Sequence, residues 1–240
     1  MSRESGRAHP PADTVSREPG RAHPPADTVT GLLRRLAAQA RERGPARQAE
    51  VCELCGEALP DVHRHLLELP SRELRCACRA CQVLFDHVAA GGGHHVLVPD
   101  RRRRLSGFVL PEPVWARLGA PVRMVCLVRD SASGGIVQFY PSPAGAVRAP
   151  ADPAAWDLLV RDNPVLAELR QDVEALLVDR DRGAWIVPLD DCYALVGTIR
   201  ARWRGLTGGQ DVRAHLARFF TDLDDRSVTV PANDDTRSPA

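Results

Sequence analysis

A chain of 240 residues with 44% hydrophobic and 26% charged side chains has a globular composition and room for a core, as one large domain or two small ones. No stretch approaches the roughly 18 apolar residues of a membrane span, and the first residues lack the apolar segment of a signal peptide, so a cytoplasmic setting is expected. With 32 basic against 31 acidic residues, there is no global field to gather nucleic acid or anionic lipid.

Residues 1–29 hold a tandem duplication, Ser2–Val15 (SRESGRAHPPADTV) recurring as Ser16–Val29 with one change, Ser5 against Pro19. The repeat is rich in proline, balanced in charge and almost free of apolar residues, so it cannot offset chain entropy by burial and is predicted to be disordered. His9 and His23 are then bystanders. Residues 30–90 are predicted to contain a helix and a zinc-ribbon-like β module. Thr30 can cap the helix, Leu32, Leu33, Leu36, Ala37 and Ala40 give it an apolar stripe, and Gly44-Pro45 stops it. The glycine run Gly91-Gly92-Gly93 is read as the internal boundary.

Residues 94–224 alternate between periods of two and of three to four, which predicts an α+β domain with an antiparallel sheet covered by helices. Val96–Val98 and Phe108–Leu110 read as short strands, Pro111–Leu118 as a helix ended by Gly119, and Val122–Val128 with Ile136–Tyr140 as a hairpin. Helices near Pro153–Arg161 and Pro164–Arg170 precede strands at Val173–Val178 and Ala184–Val187. Two helices follow, one capped by Asp190 or Asp191 and running to Gly205, the other carrying Val212, Leu216, Phe219, Phe220 and Leu223 on one stripe. Residues 225–240 are acidic and polar and are predicted to form a disordered tail. Arg101–Arg104 is a candidate phosphate patch, but every basic residue of this chain is arginine, so the run reads as a solvated turn between strands.

Five of the seven cysteines lie within thirty residues, as Cys52-x-x-Cys55-Gly56 and Cys76-x-Cys78-x-x-Cys81. Two C-x-x-C turns brought together supply four thiolates to a tetrahedron, the arrangement zinc prefers; Cys52, Cys55, Cys78 and Cys81 fit it, with 22 residues between the pairs. That interval can hold a hairpin, His63–Leu69 and Glu73–Cys76, turning at Pro70-Ser71. Zinc is favoured over an iron-sulfur cluster because the spacing matches neither ferredoxin pattern. Cys76 is a fifth sulfur, able to approach the same ion as Cys78, to replace it, or to build a second metal or iron-sulfur site with His63 and His65, which share a strand face. His87, His94 and His95 add candidate ligands without geometry, and Cys126 and Cys192 read as buried apolar residues. The chain contains no G-x-S-x-G elbow, P-loop, dinucleotide fingerprint or H-E-x-x-H pair. Asp190 and Asp191 beside Cys192 read as helix-capping acids rather than partners of a nucleophile.

The blocks CELCGEALPDVHRHLLELPSRELRCACRACQVLFDH, LVPDRRRRL, VQFYPSPAGA, NPVLAEL and WIVPLDDCYALVGTIRARWRGLTGG together resemble an uncharacterised family of actinobacterial proteins, often encoded beside the genes of NiFe-hydrogenases. The resemblance covers about Val51–Asp224 and implies a cytoplasmic accessory role near hydrogenase assembly or electron transfer; with the cysteine module, the chain is expected to act by binding rather than turnover, with a hydrogenase subunit or maturation factor as its partner. It supplies no catalytic residues. The alternatives are an iron-sulfur protein that passes electrons and a nucleic-acid-binding ribbon using Arg101–Arg104, for which the neutral overall charge offers little support.

Overall fold

The computed structural model describes residues 50–86, 92–142, 145–203 and 209–233. The expectations for residues 1–29, for the helix after Thr30, for His87 and for the last seven residues lie outside these segments. In chain order the elements are β1 (Arg64–Glu68), β2 (Glu73–Ala77), α1 (Arg79–Phe85), β3 (His95–Leu97), β4 (Arg103–Ser106), α2 (Glu112–Leu118), β5 (Met124–Asp130), β6 (Gly135–Ser142) and β7 (Gly145–Pro150). Then come α3 (Pro153–Asp162), a 3-10 turn (Pro164–Glu168), β8 (Glu174–Asp179), β9 (Gly183–Pro188), α4 (Leu189–Arg202), α5 (Gly209–Asp225) and β10 (Val228–Pro231).

The chain is α+β. Its larger sheet has seven strands in the order β10-β4-β9-β8-β5-β6-β7, and alternation along the central strands divides the core into two layers. Met124, Cys126 and Val128 of β5, with Ala175 and Leu177 of β8, face Leu189, Cys192, Leu195 and Ile199 of α4 and Val212, Phe220 and Leu223 of α5. Val125, Leu127, Leu176 and Val178 face the other way, onto Val114, Trp115 and Leu118 of α2 and Ala155, Trp156 and Leu159 of α3. Because both faces are covered, β5 and β8 are apolar almost throughout instead of alternating with polar residues.

Local chemistry sets the helix ends. Gly119 adopts a left-handed φ of 62° after α2, the conformation a helix C-terminus asks of glycine. Asp152 caps α3 by accepting from the Ala154 amide at 2.9 Å, with Pro153 in the first turn. Asp152→Ala is expected to cost about 1 kcal/mol in chemical denaturation, with α3 otherwise intact. An unchanged midpoint would show that the cap contributes nothing.

Several expectations change. Val96–Val98 was expected to begin the domain at 94–224, but β3 pairs antiparallel with β1 and completes a small sheet of order β2-β1-β3. The division at Gly91-Gly92-Gly93 therefore does not separate the sheets, and the described residues from Glu50 onward belong to one compact unit. The cause is visible in β1, where Leu66 packs with the cysteines while Leu67 is buried in the main core beside Val98 and Phe139. Arg72, in the β1–β2 turn with φ 60°, donates to Asp130 and, at 2.7 Å, to Asp172 of the large sheet's surroundings. Residues 225–240 are not uniformly a disordered tail, because α5 returns the chain to the sheet edge, where β10 pairs parallel with β4 and makes the sheet mixed rather than purely antiparallel. Phe108–Leu110 is not a strand; the strand is displaced to β4, inside the arginine run.

That run is not a solvated turn. Arg101 meets Glu174, Arg102 meets Asp191, Arg103 meets Glu168 and Arg104 meets Asp224, each within 3 Å. Each guanidinium of the candidate phosphate patch is thus paired within the chain. α4 is also not capped by a side chain: Pro188 occupies the cap position, and Asp190 and Asp191 lie in the first turn with partners elsewhere.

Candidate metal centre

The first cysteine pair sits on a tight turn. The Cys52 amide donates to the Glu57 carbonyl at 2.7 Å and the Gly56 amide to the Cys52 carbonyl at 2.8 Å, while an isolated bridge joins Val51 to Ala58. Gly56 takes φ 79°, a value that a side chain would resist. The hairpin β1–β2 then carries the chain to Cys78, which ends the extended segment with φ −68° and ψ 162° and precedes α1, whose first turn presents Cys81. The second pair therefore rides on a strand-to-helix junction, where the sequence had suggested a second turn of the ribbon kind. The order is turn, hairpin, helix.

Cys52, Cys55, Cys78 and Cys81 each bring a sulfur within 4.8 Å of the other three, and Cys55 Sγ lies 3.6 Å from Cys78 Sγ. Four sulfurs around one zinc at about 2.3 Å would stand about 3.8 Å apart, so the cluster is already near the size of a tetrahedral site. All four are free thiols; Cys52, Cys78 and Cys81 are buried and Cys55 is exposed at the rim. Burial pushes the Cys52 thiol up, but the backbone amides of Cys78, Leu54 and Cys55 outweigh it and bring it down to about 6. Cys81 is pushed up by burial and by the neighbouring sulfurs. Such a set holds one thiolate ready and yields further protons as a cation arrives, which is how thiol sites couple metal affinity to pH.

Cys76 does not join these four. It stands directly across the hairpin from His65, and it groups with His63 and His65, one ligand atom of each lying within 4.8 Å of the others. Burial, with the carboxylates of Glu53 and Glu50, pushes its thiol up. His94 and His95 are in neither group of ligand atoms. Cys126 and Cys192 are buried in the main core, where burial pushes the Cys192 thiol well up, an environment for an apolar residue and not a nucleophile. Sequence reasoning missed Asp190 as the partner of His65, at 3.0 Å across 125 positions of chain. No local signal could have joined them.

Fold and site together define a helix-covered α+β protein with a cluster of four cysteines, compatible with a metal site, near the start of the chain's described part. The chain belongs to a family of unknown function, DUF5947, whose sequence profile matches residues 51–227. No curated protein and no solved structure matches it. Among the described residues, no helix is long and apolar enough to cross a membrane.

Proposed function

We infer that this protein is a zinc-binding accessory protein that works by engaging a partner, with the ion held by Cys52, Cys55, Cys78 and Cys81. The observation that carries the reading is the convergence of four thiols, from a turn and a helix start 22 residues apart, on a space of tetrahedral size. Zinc suits the closed, all-sulfur set better than harder cations, which prefer oxygen. The ion supplies the staple for a segment with few apolar residues of its own. The partner is a component of NiFe-hydrogenase assembly or electron transfer, as the resemblance implies. Support for a contact on the metal module comes from Val51, Val62, Val83 and Leu84, large apolar side chains that stand exposed there.

Elemental analysis of anaerobically purified protein is the direct test. A colourless chain whose zinc content falls by one equivalent in the Cys52→Ser/Cys55→Ser variant is the expected result. A brown protein containing iron and acid-labile sulfide would replace zinc with a cluster and overturn the assignment. Copurification from a hydrogenase-expressing host should recover the hydrogenase component with the wild-type chain and not with the double variant. Equal recovery with both would remove the module as the contact.

A further inference from the structure

The second ligand group, His63, His65 and Cys76, has the features of a metal site in its own right. His63 lies two residues before His65 on the same face of the chain entering β1, their ring centroids are 5.1 Å apart, and Cys76 faces His65 from β2. Each ring has one nitrogen already committed. Nδ1 of His63 is 3.0 Å from the Pro60 carbonyl, and since a carbonyl only accepts, that nitrogen carries the proton and Nε2 the lone pair. Nδ1 of His65 is likewise 3.0 Å from Asp190 Oδ2 on α4. Carbonyl–imidazole and carboxylate–imidazole pairs of this kind fix the ring and tautomer of metal-binding histidines.

One observation points beyond structural bonding. The His63 side chain is only 7% exposed, and its Nε2 is buried without a hydrogen-bond partner. A buried acceptor left unmade costs free energy comparable to a lost hydrogen bond, so such an atom calls for a ligand. The nearest charged group is Glu50, with Oε2 at 3.5 Å, too far for a hydrogen bond and on a largely exposed side chain. Glu53 also stands close, accepting the Cys76 amide at 2.6 Å. The surroundings are thus anionic, and the donors are two imidazoles and one sulfur.

We propose that His63, His65 and Cys76 form a second metal site, separate from the four-cysteine centre, for a divalent transition-metal ion of borderline softness such as zinc or cobalt. Two nitrogens and a thiolate suit such ions and disfavour calcium or magnesium. Three protein ligands leave a fourth position for water or for the Glu50 carboxylate, unlike the closed site beside it. Asp190 is a positioning residue, acting on the ion through His65. The site joins β1 and β2 of the small sheet to the start of α4 through that carboxylate.

Cobalt(II) titration of the full chain carrying a single equivalent of zinc, held by the four cysteines, reads the site directly. A further equivalent of cobalt is expected, with a sulfur-to-cobalt charge-transfer band. Cys76→Ser should abolish that band, and His63→Gln, His65→Gln and Asp190→Asn should each weaken uptake about tenfold or more. Zinc content and thermal midpoint of the same samples show whether each variant is folded, and zinc content reports separately on the four-cysteine centre. The proposal is overturned if wild type carrying a single equivalent of zinc takes up no cobalt at micromolar concentration. It is equally overturned if folded Cys76→Ser and His63→Gln variants bind cobalt as wild type does.

Discussion

Withdrawing the ion proposed for the four-cysteine centre with a strong chelator is expected to open residues 50–60 and α1 while the seven-stranded sheet stays folded. The module's own core is Cys52, Leu59, Leu66, Ala77, Cys78 and Cys81, so half of its buried residues are candidate ligands and only two are sizeable aliphatic side chains. Burying one leucine is worth about 1.5–3 kcal/mol, whereas a structural zinc site contributes on the order of 10–16 kcal/mol. The metal term dominates. β1 should resist longest, because Leu67 is fixed in the main core and Arg72 is tied to Asp130 and Asp172. Hydrogen exchange followed by mass spectrometry checks this at the amides of Cys52, Gly56 and Gln82, which are bonded within the module. Acid should act like the chelator. The thiolate of Cys52, lowered to about 6, contributes stability above its unfolded value that is lost as pH falls through 6, and protons also compete with the ion. Unchanged protection after verified metal removal would refute the staple.

What could be read from the sequence was what local pattern determines. The hairpin β5–β6, the strands β8 and β9, and α2, α3, α4 and α5 follow from periodicity, from Gly119 and from Pro153, and they lie close to where those signals put them. The four cysteines were legible because a chelating set needs fixed residue types at short spacing. Four features were not. β7 (GAVRAP) carries a proline and few apolar residues, and it exists because β6 offers it an edge. β10 needs α5 to return it to β4, a long-range event that no short window contains. Cys76 with His63 and His65 was one of the alternatives the sequence offered, but the choice between these partners and Cys78 depends on hairpin register, and the Asp190 contact depends on how α4 packs against the small sheet. In each case the missing information is tertiary.

Replacing Arg102 by alanine is expected to be among the most damaging single changes outside the metal centre. Arg102 and Asp191 form a two-pronged pair, Nε to Oδ2 at 2.6 Å and Nη2 to Oδ1 at 2.9 Å, with side chains only 12% and 10% exposed. Hydrogen bonding to Asp191, reinforced by its charge, holds the guanidinium above its ordinary range despite burial. Truncating one partner of such a pair strands the other as an uncompensated charge, at a cost of about 3 kcal/mol or more. For a domain of this size that lowers the melting midpoint by roughly 6–12 °C. Arg102→Met with Asp191→Leu should recover most of the loss, because the penalty belongs to the orphaned carboxylate and not to the absence of attraction. Arg123→Ala, which breaks an exposed pair with Asp181, should leave the midpoint where it is. If the four arginines of 101–104 instead served a nucleic acid, Arg102→Ala would weaken retention on DNA and flatten its salt dependence with little change in melting. Differential scanning calorimetry beside DNA-retention measurements separates the two outcomes. A fall in midpoint with no salt-dependent retention to lose is the result that Asp191, Glu174, Glu168 and Asp224 dictate, since each already neutralises one arginine of the run.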